Sequence, residues 1–185
     1  MATDVLDAIL QRSSATRLVE PAPDRAQLET LLRAAARAPD HGRLAPWRFA
    51  VLQGDSRGIL GDAMAEVTRE STPDVAPEVL DGERRKALRA PVIVAVAAAT
   101  RPHPKIPEIE QVAAVAAGIE NLILAAGQLG FGAMWKTGAA AYSPITKRAL
   151  GFEPADQILG FVYLGTAATL GPVRSAEIDN VTRWL

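Results

Sequence analysis

Apolar positions in the chain recur with two periods, and the change between them marks the elements. Val5, Leu6, Ile9 and Leu10 fall at helical spacing, and Thr3 stands where an N-cap is needed, so a first helix is expected to end near Arg12. RSSATRLVEPAP then reads as a polar loop closed by prolines. Asp24 is the next N-cap, with Leu28, Leu31, Leu32 and Ala35 as the stripe of a second helix that Pro39 terminates. RFAVLQ (48–53) predicts a strand stopped by Gly54 and Asp55, and 56–70 carries a helical pattern. STPDVAPEVLDGERRKAL (71–88) is polar and holds two prolines, which predicts a mobile segment or lid.

PVIVAVAAA (91–99) is short, apolar and rich in β-branched residues, as a fully buried strand requires. Pro102, Pro104 and Pro107 punctuate a linker, and Pro107 suits the first turn of a long helix over 107–129. Ile109, Val112, Ala113, Ala116, Ile119, Ile123 and Ala126 form its main stripe, but most other positions are apolar too. A helix apolar nearly all round must be buried, and in so short a chain that points to a second subunit. Gly130 ends it, FGAMWKTG predicts a short strand, SPITKRAL a short helix capped by Ser143, and QILGFVYLG a last strand before a proline-bearing tail. Two helices precede the first predicted strand, so a regular doubly wound fold is not expected.

The length, 185 residues, suits a single domain, 1–185. Twenty Lys and Arg against 21 Asp and Glu give a net charge of −1, which offers no electrostatic case for nucleic acid or an anionic membrane. Cysteine is absent, which rules out thiol chemistry, and with only His41 and His103 no metal site is expected. The N-terminus lacks the long apolar core of a secretory signal, so a cytoplasmic protein is expected.

Three loops gather chemistry. RSSATR (12–17) offers two cations and three hydroxyls, the donors an oxoanion wants, although capping hydroxyls on a solvated loop would look the same. LRAAARAPDHGRLAPWRF (32–49) places Arg37, His41, Arg43 and Trp47 at a helix stop, where Trp47 could equally seal the core. LGFGAMWKTGA (129–139) has Gly130 and Gly132 after a helix and before a strand, the reverse of a dinucleotide fingerprint, then Trp135, Lys136 and Thr137. No P-loop and no nucleophile elbow is present, and no protein residue is singled out as catalytic. Donors and apolar surface without an acid–base pair suggest that a cofactor carries the chemistry.

Taken in order, RSSATRL (12–18), ARAPDHGRLAPW (36–47), AAGQLGFGAMWKTGA (125–139) and ILGFVYLGT (158–166) resemble the FMN-dependent nitroreductase family, in particular its short, YdjA-type NAD(P)H nitroreductase subgroup. The resemblance implies an α+β fold, a central mixed and mainly antiparallel sheet flanked by helices, in an intertwined homodimer with shared flavin sites. It implies bound FMN contacted by Arg12, Ser13 and Ser14, by Trp135, Lys136 and Thr137, and by Arg37 and His41 across the interface. Ala125, Ala126, Gly127, Gln128, Leu129 and Gly130 fall where the subgroup has a nicotinamide contact. The implied activity is ping-pong electron transfer from NAD(P)H through FMN to a nitroaromatic or quinone-like acceptor. A flavin-binding module with little turnover, or another FMN chemistry on the same fold, are the alternatives. The chain departs from the family at Thr16, where Arg or Lys is usual, and at Arg43-Leu44-Ala45-Pro46-Trp47, where Asn-x-Gln-Pro-Trp is usual. In the tail, Arg174 and Arg183 are the only candidates for a further phosphate contact.

Overall fold

The computed structural model describes residues 4–185. Thr3 lies outside the described residues; the observed N-cap of α1 (Val5–Leu10) is Asp4, whose carboxylate accepts the Leu6 N–H. The chain continues through β1 (Ala15–Val19), α2 (Arg25–Ala35), β2 (Trp47–Gln53), α3 (Arg57–Ser71), α4 (Pro77–Lys86) and β3 (Val92–Ala98). It ends with α5 (Glu108–Gln128), β4 (Gly132–Lys136), α6 (Ala139–Tyr142), α7 (Pro144–Ala149) and β5 (Gln157–Leu170).

β5 is the hub of one five-stranded sheet. β3 pairs with Gln157–Leu164, β4 with Phe161–Gly165 and β1 with Thr166–Leu170, while β2 pairs with β3; every pairing is antiparallel. The pleat then sorts side chains between two cores. Val92, Val94, Val96, Val162 and Leu164 meet Leu28 and Leu31 of α2 and Ile119 and Leu122 of α5 on one face. Ile93, Ala95, Phe161 and Tyr163 meet Leu60 and Met64 of α3 and Ala140 and Ala141 of α6 on the other. All seven residues of β3 are buried, as the apolar run 91–99 predicts. Helix starts follow local chemistry: Asp24 and Gln27 form a reciprocal capping box at α2, and Ser143 caps α7 with Pro144 in its first turn.

Four expectations change. Residues 15–19 are a strand rather than part of a loop, so β1 precedes α2; two register shifts and the exposed Thr16 and Arg17 hide its alternation. The 71–88 segment is not irregular: it holds α4, packed on α3 through Arg84, which bridges Asp62 (3.0 Å) and Asp81 (2.7 Å). Pro107 is the N-cap of α5 rather than a residue inside its first turn. The buried face of α5 is Gln111, Ala114, Val115, Gly118, Ile119, Leu122, Ile123 and Ala126, whereas Ile109 is 70% exposed and Ala113 is exposed. An almost wholly apolar helix offers no polar face to orient it, so packing against α2 and the sheet decides. Gln111 is buried because its amide donates to the Arg101 carbonyl and accepts the Arg101 N–H. α1 buries nothing within the protomer, and Val5, Leu6, Ile9 and Leu10 all face outward.

Gly118 sets how closely α2 and α5 approach, because a Cβ there would stand 2.8 Å from the Ala35 carbonyl oxygen. Gly118→Ala is expected to lower unfolding stability by roughly 1–3 kcal/mol through overpacking. Gly127, on the same helix with open space around it, is the control: Gly127→Ala should raise stability by roughly 0.5–1 kcal/mol. Denaturant titration of both variants compares them directly.

Candidate functional site

β4 positions the site by alternation. Ala133 and Trp135 point to the α5 side of the sheet; Met134 and Lys136 point to the opposite side. On the α5 side Trp135 and Thr137 share a cavity of about 290 Å³ with Arg12 and Ser14 from the segment between α1 and β1, and with Glu120 and Ile123 of α5. Trp135 is held in place by a hydrogen bond from its Nε1 to the Leu159 carbonyl, 3.1 Å. Gly160 makes room for it: φ is +147° there, and any Cβ would overlap Trp135 Nε1 and lie 2.6 Å from the Lys136 carbonyl oxygen. Arg12 Nε lies 3.4 Å from Glu120 Oε1, both half-exposed.

A second cavity of about 320 Å³ shares Arg12, Ile123 and Ala133 with the first, and adds Ser13, Phe131, Gly127, Gln128 and Gly130. Part of the expected 125–130 stretch is therefore at this site. Ala126 instead belongs to the core, Ala125 packs against it, and Leu129 caps α5 outside the cavity. A longer cleft of about 770 Å³ runs from Arg12–Ser14 past Thr16 to the tail at Arg174 and Ser175. Arg174 thus approaches the first loop, whereas Arg183 lines none of these cavities.

Lys136 is not with Trp135 and Thr137. Its ammonium lies 5.2 Å from the centre of the Tyr163 ring, in a cavity that also contains Arg17 and Arg89 and meets the longer cleft at Thr16 and Met134. Burial pushes its pKa below the usual lysine range, and the charges of Arg89 and Lys86 push the same way. Burial pushes the Tyr163 phenol up to about 12, so its hydroxyl is a proton donor at every ordinary pH.

His41 also stands apart from Arg12 within the protomer, and Arg37 lines none of these cavities. His41 Nδ1 is 2.5 Å from Glu110 Oε2, near the start of α5. Glu110 and Glu120 are ten residues apart on that helix, about 15 Å along its axis. The loop that carries His41 is tightly specified. Gly42 (φ 71°), Arg43 (φ 54°) and Ala45 (φ 49°) are all left-handed, which costs a non-glycine residue about 1–2 kcal/mol. Asp40 offsets part of that by accepting the Ala45 N–H at 2.7 Å, and Arg101 donates to the Leu44 carbonyl at 3.1 Å. Pro46 is buried and its carbonyl takes the Ala99 N–H at 2.6 Å, while Trp47 packs against the α5-side core. Pro46 and Trp47 anchor the loop; Arg37, His41 and Arg43 stay exposed.

The residues that the sequence did not single out are Glu120, Arg89 and Tyr163. A lone carboxylate midway along an apolar helix is a readable signal for Glu120. Nothing local marks Arg89 or Tyr163, which reach their cavity only through the pairing of β5. Loop strain makes a direct prediction. Asp40→Ala should lower unfolding stability by roughly 1–3 kcal/mol, while Ala45→Gly should raise it by up to about 1 kcal/mol; thermal melts of both variants report it.

Comparison with known proteins gives consistent matches. A family model described as "Nitroreductase family" matches residues 9–166. The Escherichia coli (strain K12) protein named "Putative NAD(P)H nitroreductase YdjA" is 37% identical over 163 residues, 88% of each chain. A Haemophilus influenzae protein named for the same activity is 33% identical over 178 residues, 96% of each chain. Among solved structures, a nitroreductase-like family protein from Bacillus cereus superimposes with a TM-score of 0.84 at 24% identity, over 100% of this chain and 97% of that one. A Desulfovibrio desulfuricans structure in complex with FMN superimposes with a TM-score of 0.74 at 26% identity, over 98% and 96%.

Proposed function

The chain belongs to the nitroreductase family, and from that membership we propose that it is an FMN-dependent oxidoreductase carrying electrons from NAD(P)H to an electron-poor acceptor, nitroaromatic or quinone-like. The observation that carries the proposal is the joining of Arg12, Ser14, Trp135 and Thr137 in one cavity. The names of the relatives and the FMN-bound neighbour support the choice of donor and cofactor.

The residues fit the cofactor. A flavin nucleotide is a flat apolar ring joined through a polyol to a phosphate. Ile123, Ala133, Trp135 and Phe131 form an apolar wall, and the Arg12 guanidinium with the hydroxyls of Ser13 and Ser14 forms an oxoanion-binding end beside it. Glu120 holds Arg12 in position against α5, and because the pair is half-exposed the guanidinium keeps donors free for the phosphate. Trp135, fixed to Leu159, excludes water from the ring, and the Thr137 hydroxyl adds a donor at its edge. FMN, when bound, supplies the two-electron chemistry in a ping-pong cycle. The chain's own groups bind, orient and shield it, and no acid–base pair is required of them.

The working unit in this reading is a homodimer with flavin sites at the subunit interface, each chain acting as a single FMN-binding domain. Several apolar surfaces have no partner within the protomer: α1, Ile109 on α5, and Val181 and Trp184 in the tail, the last 87% exposed. Arg37 and His41, the latter held at Glu110 about 15 Å along α5 from Glu120, then serve the partner's flavin. A cytoplasmic setting, where reduced nicotinamide is made, belongs to the same reading.

Purified protein should be yellow, bleach under anaerobic NADH or NADPH, and regain colour with a nitroaromatic. A protein that stays colourless after FMN is supplied overturns the proposal, and one that bleaches without reoxidation is a binding module instead. Arg12→Ala should weaken FMN retention by roughly 1.5–3 kcal/mol, about one to two decades in Kd, read as the flavin-to-protein ratio after dialysis. Ile9→Glu on α1 should shift the protein towards monomer in sedimentation and lose flavin with it.

A further inference from the structure

Next to Trp135 lies a cavity of about 300 Å³ between the first half of α5, α6, α7 and the start of β5, and the flavin reading gives it no task. We propose that it binds an aromatic carboxylate, with Lys147 on the carboxylate and Tyr142 against the ring, and that such a compound is the electron acceptor.

Leu159 joins this cavity to the candidate site. Its carbonyl accepts the Trp135 Nε1–H at 3.1 Å, and the residue also lines the cavity. The chain makes the same connection, because Gly138 alone separates Thr137 from α6, which supplies Ala141 and Tyr142. The cavity shares no lining residue with that of Arg12, Ser14, Trp135 and Thr137. Val112 and Glu120, one lining each, are eight residues apart on α5, about 12 Å along its axis. A ligand here is therefore beside Trp135 without taking the place of a phosphate at Arg12.

The lining is apolar except at two points. Val112, Ala141, Ile158 and Leu159 offer the aliphatic surface that a ring fills. Tyr142 is 76% exposed, so its own ring serves no core and is open to stack on a bound one. The Lys147 ammonium donates to the Pro154 carbonyl at 2.9 Å, which fixes it at the cavity and leaves two N–H donors. Lys147 makes no ion pair among the described residues, and no carboxylate lines the cavity. Gln157, the second polar point, donates to Glu108, which also takes the Thr100 hydroxyl, so the nearest acid is already engaged. A single ammonium with no guanidinium fork suits one negative charge, a carboxylate rather than a phosphate.

As an acceptor the compound takes its electrons through the flavin, so its turnover rests on the reading given above; its binding does not. With a nitro group on the ring, the hydride of NAD(P)H and one proton convert that group to nitroso and water, leaving NAD(P)⁺. Binding is measured first, by calorimetric titration of benzoate into the purified protein. Saturable binding is expected, about tenfold weaker in Lys147→Gln and retained in Lys147→Arg. Arg148→Gln, exposed on the same helix and lining none of the cavities, should bind like the parent. In the flavin-loaded enzyme the KM for 4-nitrobenzoate should rise about tenfold in Lys147→Gln, with the KM for methyl 4-nitrobenzoate, kcat and the flavin-to-protein ratio unchanged. Tyr142→Ala should raise the KM of acid and ester alike. No benzoate binding, binding unchanged in Lys147→Gln, or an equal KM rise for acid and ester in that variant overturns the proposal. A colourless protein that binds benzoate through Lys147 upholds the binding site and overturns only the flavin reading.

Discussion

The pairing of β4 with β5 is the constraint on which the rest of the site depends. Gly132 lies opposite Gly165 and Lys136 opposite Phe161, and this register decides which side chains of a five-residue strand face α5. A slip by one residue would exchange Trp135 with Lys136, placing an ammonium against Ile123 and an indole among arginines. Two glycines hold the register. Gly132 has room for no side chain between Ala15, Leu18 and Ala167, and Gly160 allows Trp135 to lie against the β5 backbone. One edge strand therefore divides the side chains of an amphipathic cavity from those of a cation-rich one. The chemical difference between them is a consequence of the pleat.

The second determinant is α5, which supplies a wall to the cavity on one side and a packing face to α2 and the sheet on the other. Its composition makes it 21 residues of mostly apolar surface, long enough by that measure alone to cross a membrane. Its packing gives a different account. Gly118 and Asn121 dock against the end of α2, where Asn121 donates to the Ala34 carbonyl at 3.2 Å, and Ile119 and Leu122 are wholly buried. The few acidic positions then become informative. Glu110 meets His41, Glu120 meets Arg12, and Glu108 accepts from Thr100 and Gln157. In a helix otherwise apolar, each carboxylate fastens a different loop to the same axis, so the spacing of the acids sets the spacing of the loops.

Much of this fold was legible in the pattern of side chains, and the parts that were not share a physical cause. Where burial is one-sided and regular, as in α2, or complete, as in β3, periodicity locates the element. β1 was hidden because bulges break its alternation and its outward residues are polar. α4 was hidden because none of its residues is buried, so it carries no apolar stripe, and its prolines suggest a loop, although Pro77 occupies a first-turn position where proline fits. The face of α5 could not be read since no face is polar. At the site, Arg12, Ser14, Trp135 and Thr137 lie on two segments that the resemblance marked, and the structure joins them. The resemblance grouped Lys136 with Trp135 and Thr137, and alternation along β4 places it in the cavity on the other side of the strand. Arg89 and Tyr163 have no local signature at all, because long-range pairing alone creates their neighbourhood.

The loop from Ala36 to Trp47 shows how strain and function are related here. Three departures from ordinary backbone within four residues, at Gly42, Arg43 and Ala45, are unusual in a segment of this length. They persist because both ends are fixed: Asp40 grips the Ala45 N–H, and Pro46 and Trp47 are anchored in the core. A chain held so firmly at its ends has little freedom between them, and that is where His41 projects, tied to Glu110. Gly42 is required because a side chain there would overlap Ile106, which lies buried beneath the loop. The backbone cost is thus spent on holding an exposed imidazole and guanidinium in a defined place with no cover from their own protomer. Strained backbone that holds exposed groups in this way points to a functional constraint rather than to packing. It becomes intelligible if the groups meet a ligand that a second copy presents.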